Sequence, residues 1–83
     1  MAYTTRVVQV FDCWTYIDTG VALFQFGDVM CFHINGGSTP AVDAIGLTMQ
    51  PGEKFILNDP AATGWAKYLL EGTNVESVVV VKA

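Results

Sequence analysis

Short apolar runs separated by sharp turn signals dominate this sequence, and few folds accommodate that pattern. In 46-GLTMQPGEKFIL-57, Pro51 and Gly52 lie between two such runs. Proline fixes φ near −65° at the second position of a turn and glycine accepts positive φ at the third, so the pair predicts a type II turn between two strands. The whole chain shows seven or eight such runs. Turn signals about every 8–12 residues predict an all-β fold, which would be a small β-sandwich or barrel with mainly antiparallel strands.

The first 20 residues predict an arm and one strand. Residues 1–5 lack periodicity and are interpreted as an N-terminal arm, which leaves residues 6–83 as a single domain. The segment 6-RVVQVFDCWTYI-17 is rich in β-branched and aromatic residues, so it predicts one extended strand in which Val8 and Val10 share a face. Asp18, Thr19 and Gly20 predict the turn that ends this strand.

A hairpin and a loop are predicted in the middle of the chain. Gly27 and Asp28 separate two apolar runs in 21-VALFQFGDVMCFHI-34, which predicts a two-residue hairpin turn with positive φ at Gly27. Residues 35–46 contain three glycines, a proline and several small polar side chains, so they predict a surface loop.

The segment 58-NDPAATGWAKYLLEG-72 carries conflicting signals. Asp59, Pro60 and Gly72 stand where a helix would have its N-cap, its first residue and its end. Gly64 opposes a helix, because glycine costs ~1 kcal/mol relative to alanine in a helix interior, and the flanking segments are β-like. We therefore expect a loop with one helical turn within residues 59–64, followed by a strand from Trp65 to Leu70.

The last segment, 74-NVESVVVVKA-83, begins with alternation that places Val75 inward and Glu76 outward, and it becomes apolar on both faces from Val78 to Val81. Both faces of such a strand need cover, either between two layers or against another subunit. The composition favours another subunit, since only 14% of the 83 residues are charged while 52% are hydrophobic. A typical domain has roughly 25% charged residues, and so short a chain buries little of its surface.

Charge and hydropathy exclude several classes of partner. The net charge is −4, and the four cationic residues, Arg6, Lys54, Lys67 and Lys82, are scattered along the chain, so no nucleic-acid partner is expected. No apolar run approaches the ~18 residues that a membrane helix needs, and the N-terminus does not resemble a signal peptide. Membrane association and secretion are therefore not expected.

His33 is the only histidine, and it could form a metal site with Cys31 and Cys13. Zinc sites usually offer four ligands in recognisable pairs, so we interpret His33 as a packed or edge residue and expect no metal or other cofactor. The two cysteines are expected to be reduced and buried, with a single disulfide as the alternative.

The sequence predicts that the protein is not an enzyme and has no catalytic residue. Any triad would have to centre on His33, and 36-GGSTP-40 resembles neither a nucleophile elbow nor a phosphate-binding loop. The eight carboxylates are spread singly over turns and strand ends, where solvated side chains are expected.

Five aromatic residues could form a platform on which a sugar ring stacks: Trp14, Tyr16, Phe24, Phe26 and Trp65. Their spacing of two along a strand pairs Trp14 with Tyr16 and Phe24 with Phe26 on one face each, which is the arrangement that packs one sheet on another. We therefore prefer a core or interface role over carbohydrate binding.

The second half of the chain, roughly residues 33–83, resembles a pattern of small bacteriophage virion proteins. The pattern consists of Gly-Ser-x-Pro, a glycine, an apolar residue before Pro-Gly-Glu, a strand that starts with Trp, then Gly-Thr and a valine-rich strand. The matching residues are, in order, Gly37, Ser38, Pro40, Gly46, Met49, Pro51, Gly52, Glu53, Trp65, Gly72, Thr73 and Val78 to Val81. The insert 58-NDPAATG-64 before the Trp strand is longer than the pattern expects.

This resemblance implies a small β-sandwich that acts as a structural protein of the virion, first of all a capsid decoration or cement protein. Its implied partners are the major capsid protein, other virion proteins and copies of itself, with a trimer favoured. The implied location is the capsid surface, after synthesis in the bacterial host cytoplasm. The alternative is a tail, collar or fibre component that binds a receptor or glycan, and a weaker one is a small host-acting enzyme or inhibitor. The resemblance implies no catalytic or cofactor residue.

Overall fold

Eight antiparallel strands form two four-stranded sheets in the computed structural model, which describes residues 3–68 and 76–82. The strands are β1 Thr4–Val10, β2 Thr15–Thr19, β3 Ala22–Phe26, β4 Met30–Asn35, β5 Leu47–Met49, β6 Lys54–Leu57, β7 Thr63–Tyr68 and β8 Glu76–Lys82. Sheet A has the order β1-β8-β3-β6, and sheet B has the order β2-β7-β4-β5. The predicted all-β fold is confirmed as a sandwich rather than a closed barrel.

The predicted single strand over residues 6–17 is wrong. The chain pairs with β8 until Val10, crosses to the other sheet through residues 11–14, and pairs with β7 from Thr15. The two halves have different partners, a fact that their shared β-propensity cannot reveal. β1 also starts at Thr4 rather than at Arg6. The expected shared face is confirmed, because Val10 is fully buried and Val8 packs against the core.

The predicted hairpin at Gly27 and Asp28 is also wrong, because β3 lies in sheet A and β4 in sheet B. Gly27 does not have positive φ. Its amide donates a hydrogen bond to the Ser77 carbonyl over 3.0 Å, and a Cβ atom at position 27 would stand 2.8 Å from that oxygen. Glycine is needed here because two backbones approach closely, not because the chain turns tightly.

The predicted type II turn at Pro51 and Gly52 is confirmed. Gly52 has φ of 81°, and the Glu53 amide donates to the Gln50 carbonyl over 3.0 Å, which closes the turn. The turn carries the chain from β5 in sheet B to β6 in sheet A.

Replacing Gly52 by Val is expected to lower the free energy of unfolding by ~1 kcal/mol or more, because a β-branched residue is strained at positive φ. Thermal and urea unfolding would measure the loss. Gly36→Val is a suitable control, since Gly36 is exposed, lies outside the positive-φ region and has no atom within 4 Å of a built Cβ. A Gly52→Val protein as stable as the control would contradict the assigned turn.

The expected helical turn within residues 59–64 is shorter than predicted. The Ala62 amide donates to the Asp59 carbonyl over 3.2 Å, and strand β7 already begins at Thr63. A Cβ atom at Gly64 would lie 3.0 Å from the Phe32 ring, so this glycine allows close packing within a strand. The expected strand from Trp65 is confirmed as far as Tyr68. The predicted end of this strand, Leu70, lies outside the described residues. The predicted orientations of Val75 and Glu76 concern side chains that the structure does not describe.

The core lies between the sheets and is centred on Phe32 of sheet B. The centroid of its ring is 5.5 Å from that of Phe24, 5.2 Å from that of Phe26 and 5.1 Å from that of Phe55, all three from sheet A. Val78 and Val80 of the central strand β8 are fully buried against this group. Because aromatic pairs of this kind add to the free energy of area burial, Phe32 contributes to holding the two sheets together.

Candidate functional site

A loop over residues 36–46 lies across the outer face of sheet B and is fixed there by three side chains. The Trp14 indole donates to the Ala41 carbonyl over 2.8 Å, and the Lys67 ammonium donates to the Val42 carbonyl over 3.0 Å. His33 Nδ1 is 2.8 Å from the Ile45 carbonyl oxygen. The predicted surface loop is therefore confirmed, and three separate contacts hold it to the sandwich.

His33 packs under this loop and against an aromatic ring. Its ring centroid lies 5.5 Å from that of Trp14, and the Lys67 ammonium is 4.8 Å from the same indole. With one ring nitrogen engaged by the Ile45 carbonyl, His33 is a packed residue, and its strand β4 lies between β7 and β5 rather than at the edge of the sheet. The group of Trp14, His33 and Lys67 serves to support the loop.

The structure does not bring the two thiols together. Cys31 is buried under the loop, where a Cβ atom at Gly46 would lie only 2.5 Å from its Sγ, whereas Cys13 is exposed. Both thiols are free, so the expectation of two buried cysteines is wrong for Cys13. Within residues 3–68 and 76–82, no three His, Cys, Asp or Glu side chains are grouped so that they could hold a metal ion.

The aromatic residues that could stack on a sugar are divided between two places. Phe24 and Phe26 are fully buried in the core, as their spacing predicted. Trp65 is only 7% exposed on the outer side of sheet B, where its indole donates to Asn35 Oδ1 over 2.9 Å. Tyr16 packs edge-on against it, with ring centroids 5.7 Å apart, and remains half exposed. These rings form no open flat platform.

The prediction that the carboxylates are solvated is wrong for Asp18, which is buried at the centre of an ion cluster with two partly exposed cations. Its Oδ2 accepts a hydrogen bond from Arg6 over 3.1 Å, and its Oδ1 accepts one from Lys82 over 2.9 Å. Arg6 also donates to the Ile17 carbonyl, and Lys82 donates to the Thr19 carbonyl. The cluster thus joins β1 and β8 of sheet A to β2 of sheet B. No local signal could have revealed it.

Burial alone would raise the pKa of the Asp18 carboxyl, but hydrogen bonds from Lys82, Arg6 and the Thr19 amide outweigh it and hold the pKa below its usual value. A depressed folded-state pKa contributes stability above the unfolded-state pKa, near 3.9 for Asp, and that contribution is lost as the pH falls through the folded-state value.

We therefore expect the free energy of unfolding of the wild-type protein to fall below about pH 5, in part through Asp18. Asp18→Asn should be less stable than wild type at pH 7 and should lose less stability on acidification. Urea unfolding at a series of pH values measures both effects. Parallel pH profiles for the two proteins would contradict a stabilising role for the Asp18 carboxylate.

The outer face of sheet A carries an apolar surface that is exposed on its two edge strands and half-buried at its centre. It consists of Val7, Leu23, Ile56, Val79 and Val81 and is called the apolar face below. Val79 pairs with Val7, and Val81 pairs with Leu23, which in turn pairs with Ile56, so the side chains are contiguous across all four strands. Val7 is 62% exposed and Ile56 is 69% exposed. The prediction that β8 is apolar on both sides is confirmed.

One end of the apolar face forms a groove of about 670 Å³, which is lined by Tyr3, Val21, Ala22, Leu23, Ile56, Val81 and Lys82. The strand residues that the structure describes on this side of sheet A include no carboxylate, and their cations are Lys54 of β6 and Lys82 of β8, which lines the groove. The molecule as a whole is acidic, with a net charge of −4. Contiguous exposed apolar surface of this kind is typical of a contact surface for another macromolecule.

The part of the chain that the structure describes has no helix long and apolar enough to cross a membrane. Comparisons with protein-family models, with curated protein sequences and with solved structures found no match to this chain.

Proposed function

We propose that this chain is a non-enzymatic structural protein of a bacteriophage virion, a decoration or cement protein that covers the capsid surface as a homo-oligomer. The observation that carries the proposal is the apolar face, a contiguous surface of aliphatic side chains on an otherwise acidic molecule. The resemblance of residues 33–83 to small virion proteins is the reason why we propose a virion as the assembly. A trimer on the capsid, in contact with the major capsid protein, is the arrangement that we favour.

The energetics of the apolar face support an assembly role. Burying apolar surface contributes roughly 25 cal/mol per Å², and a small sandwich gains nothing by leaving Val7 and Ile56 in water. An interface that covers the apolar face would add to the stability of each subunit and to that of the shell beneath it. A cement protein requires an interface that stabilises the shell, because many copies bind the shell and each uses the same small surface.

The positions of the candidate chemical residues support a role without catalysis. His33, the residue on which any triad would have to centre, is engaged with the loop backbone and with Trp14. The one strongly paired carboxylate, Asp18, is saturated by Arg6, Lys82 and the Thr19 amide. These groups hold structural elements together, because one ring nitrogen of the histidine is engaged by the loop backbone and the carboxylate is engaged by Arg6, Lys82 and the Thr19 amide.

A tail, collar or fibre component that binds a receptor or glycan is the second candidate. The half-exposed ring of Tyr16, which rests against Trp65, favours it. A single exposed ring is a weaker observation than a contiguous face, so we rank this function second.

Quantitative mass spectrometry of purified virus particles tests the proposal. We expect the protein to be present at a copy number comparable with that of the major capsid protein. A much lower copy number, set by the symmetry of a tail or portal, would favour the second candidate. Absence from the particle would overturn both. Binding of the purified protein to undecorated capsids in a sedimentation assay is the direct confirmation.

A further inference from the structure

We propose that copies of this chain associate head to tail, with the tip of the 36–46 loop of one copy seated in the groove of the apolar face of the next. The inference rests on the proposed function, because it names the partner of the apolar face as a second copy of the chain. It adds the mode of association and the residues on both sides of the contact.

The loop tip, residues 41–45, is a projecting apolar surface. Ile45 is 90% exposed and Val42 is 85% exposed, and Leu47 just after the tip is half exposed. The Ala44 amide donates to the Ala41 carbonyl over 2.9 Å, so the tip is a closed turn. Exposed aliphatic side chains at the tip of a turn are well placed to enter a groove on another molecule.

The tip is held in place before any partner binds. Trp14, Lys67 and His33 each contact a carbonyl of residues 41, 42 or 45. A loop that is already ordered loses little conformational entropy when it binds, which favours association. The same three contacts fix the direction in which Val42 and Ile45 project.

The tip and the groove lie on opposite sides of the sandwich, so they cannot meet within one molecule. The loop covers the outer face of sheet B through His33 and Lys67, whereas the groove is on the outer face of sheet A. A contact between two different surfaces is heterologous, and it produces a ring when its rotation closes or a filament when it does not.

The charges favour this pairing over contact between two apolar faces. Asp43 is exposed within the tip, and Lys82, whose side chain is 38% exposed beside Asp18, is the cation that lines the groove. Asp43 forms no ion pair with another described residue, whereas Lys82 already pairs with Asp18 of its own copy. Docking the tip in the groove brings the Asp43 carboxylate to a groove lined by a cation, whereas a second apolar face would bring no carboxylate from its described strand residues.

A complementation experiment tests the inference with two variants, Ile45→Glu in the tip and Ile56→Glu in the groove. Both positions are exposed, so circular dichroism should show native β structure in each. Each variant alone should associate roughly 30-fold or more weakly than wild type, since a charge replaces a central apolar contact. Gln50→Glu is the control, because it adds the same charge at an exposed turn away from both surfaces.

An equimolar mixture of the two variants separates head-to-tail from symmetric association. In a head-to-tail contact, the intact groove of Ile45→Glu still accepts the intact tip of Ile56→Glu, so sedimentation should show a heterodimer that grows no further. A mixture that stays monomeric, or an Ile45→Glu protein that associates like wild type, overturns the inference. A wild-type protein that is monomeric at high concentration also overturns it, while abundant copies on the virion would leave the proposed function standing.

Discussion

Replacing Val80 by Asp is expected to unfold the protein. Val80 is fully buried in the core, on the side of β8 that faces sheet B. An unpaired carboxylate there costs at least several kcal/mol, and a domain of this length has a total stability of only about 4–12 kcal/mol. Circular dichroism measured at about 25 °C should show that the native β spectrum is lost.

The same substitution one residue earlier, Val79→Asp, is the matched control. Val79 lies on the outer side of β8, between Val7 and Gln25, where the new carboxylate reaches water. The fold should therefore survive, while association through the apolar face should be lost. Sedimentation of a folded Val79→Asp protein measures that loss. Equal loss of structure in both variants would contradict the assignment of Val79 to an exposed face.

Replacing Phe32 by Ala is expected to lower the free energy of unfolding by about 3–5 kcal/mol. Phe32 is surrounded by Phe24, Phe26 and Phe55 of the opposite sheet, so the truncated side chain leaves a cavity where the two sheets meet. Urea unfolding followed by tryptophan fluorescence gives the change directly.

Phe11→Ala removes the same side chain from an exposed position in the crossing between β1 and β2. Its effect should be within about 1 kcal/mol, as for most exposed substitutions. If the two variants were equally stable, the core would not be centred on Phe32.

Features encoded by neighbouring residues were predictable from the sequence. The turn at Pro51 and Gly52 depends only on the φ preferences of those two residues, so the local pattern was sufficient. The surplus of apolar residues in β8 likewise predicted a strand with two apolar sides. The same reasoning failed at Gly27, because a chain that reverses within one sheet and a chain that crosses to the other sheet present the same glycine between two apolar runs.

Features that depend on distant residues were not predictable. Asp18 stands 12 positions from Arg6 and 64 positions from Lys82, and no property of the Asp-Thr-Gly segment indicates either partner. The apolar face also depends on residues that are distant in sequence. The residues of the apolar face come from four strands, and their contiguity follows from a strand order that the sequence did not predict.

The strand order has a consequence for how the chain reaches its fold. Among the described strands, only β4 and β5 pair with a neighbour in sequence, and β8 supplies the centre of sheet A between β1 and β3. Sheet A therefore cannot be completed until residues 76–82 have been synthesised, because the paired residues Val10 and Glu76, which are the nearest in sequence between β1 and β8, already have residues 11–75 between them. Folding on the ribosome should be late and all-or-none, on a time scale of roughly milliseconds to seconds, as is usual for sandwiches whose contacts are mostly distant in sequence.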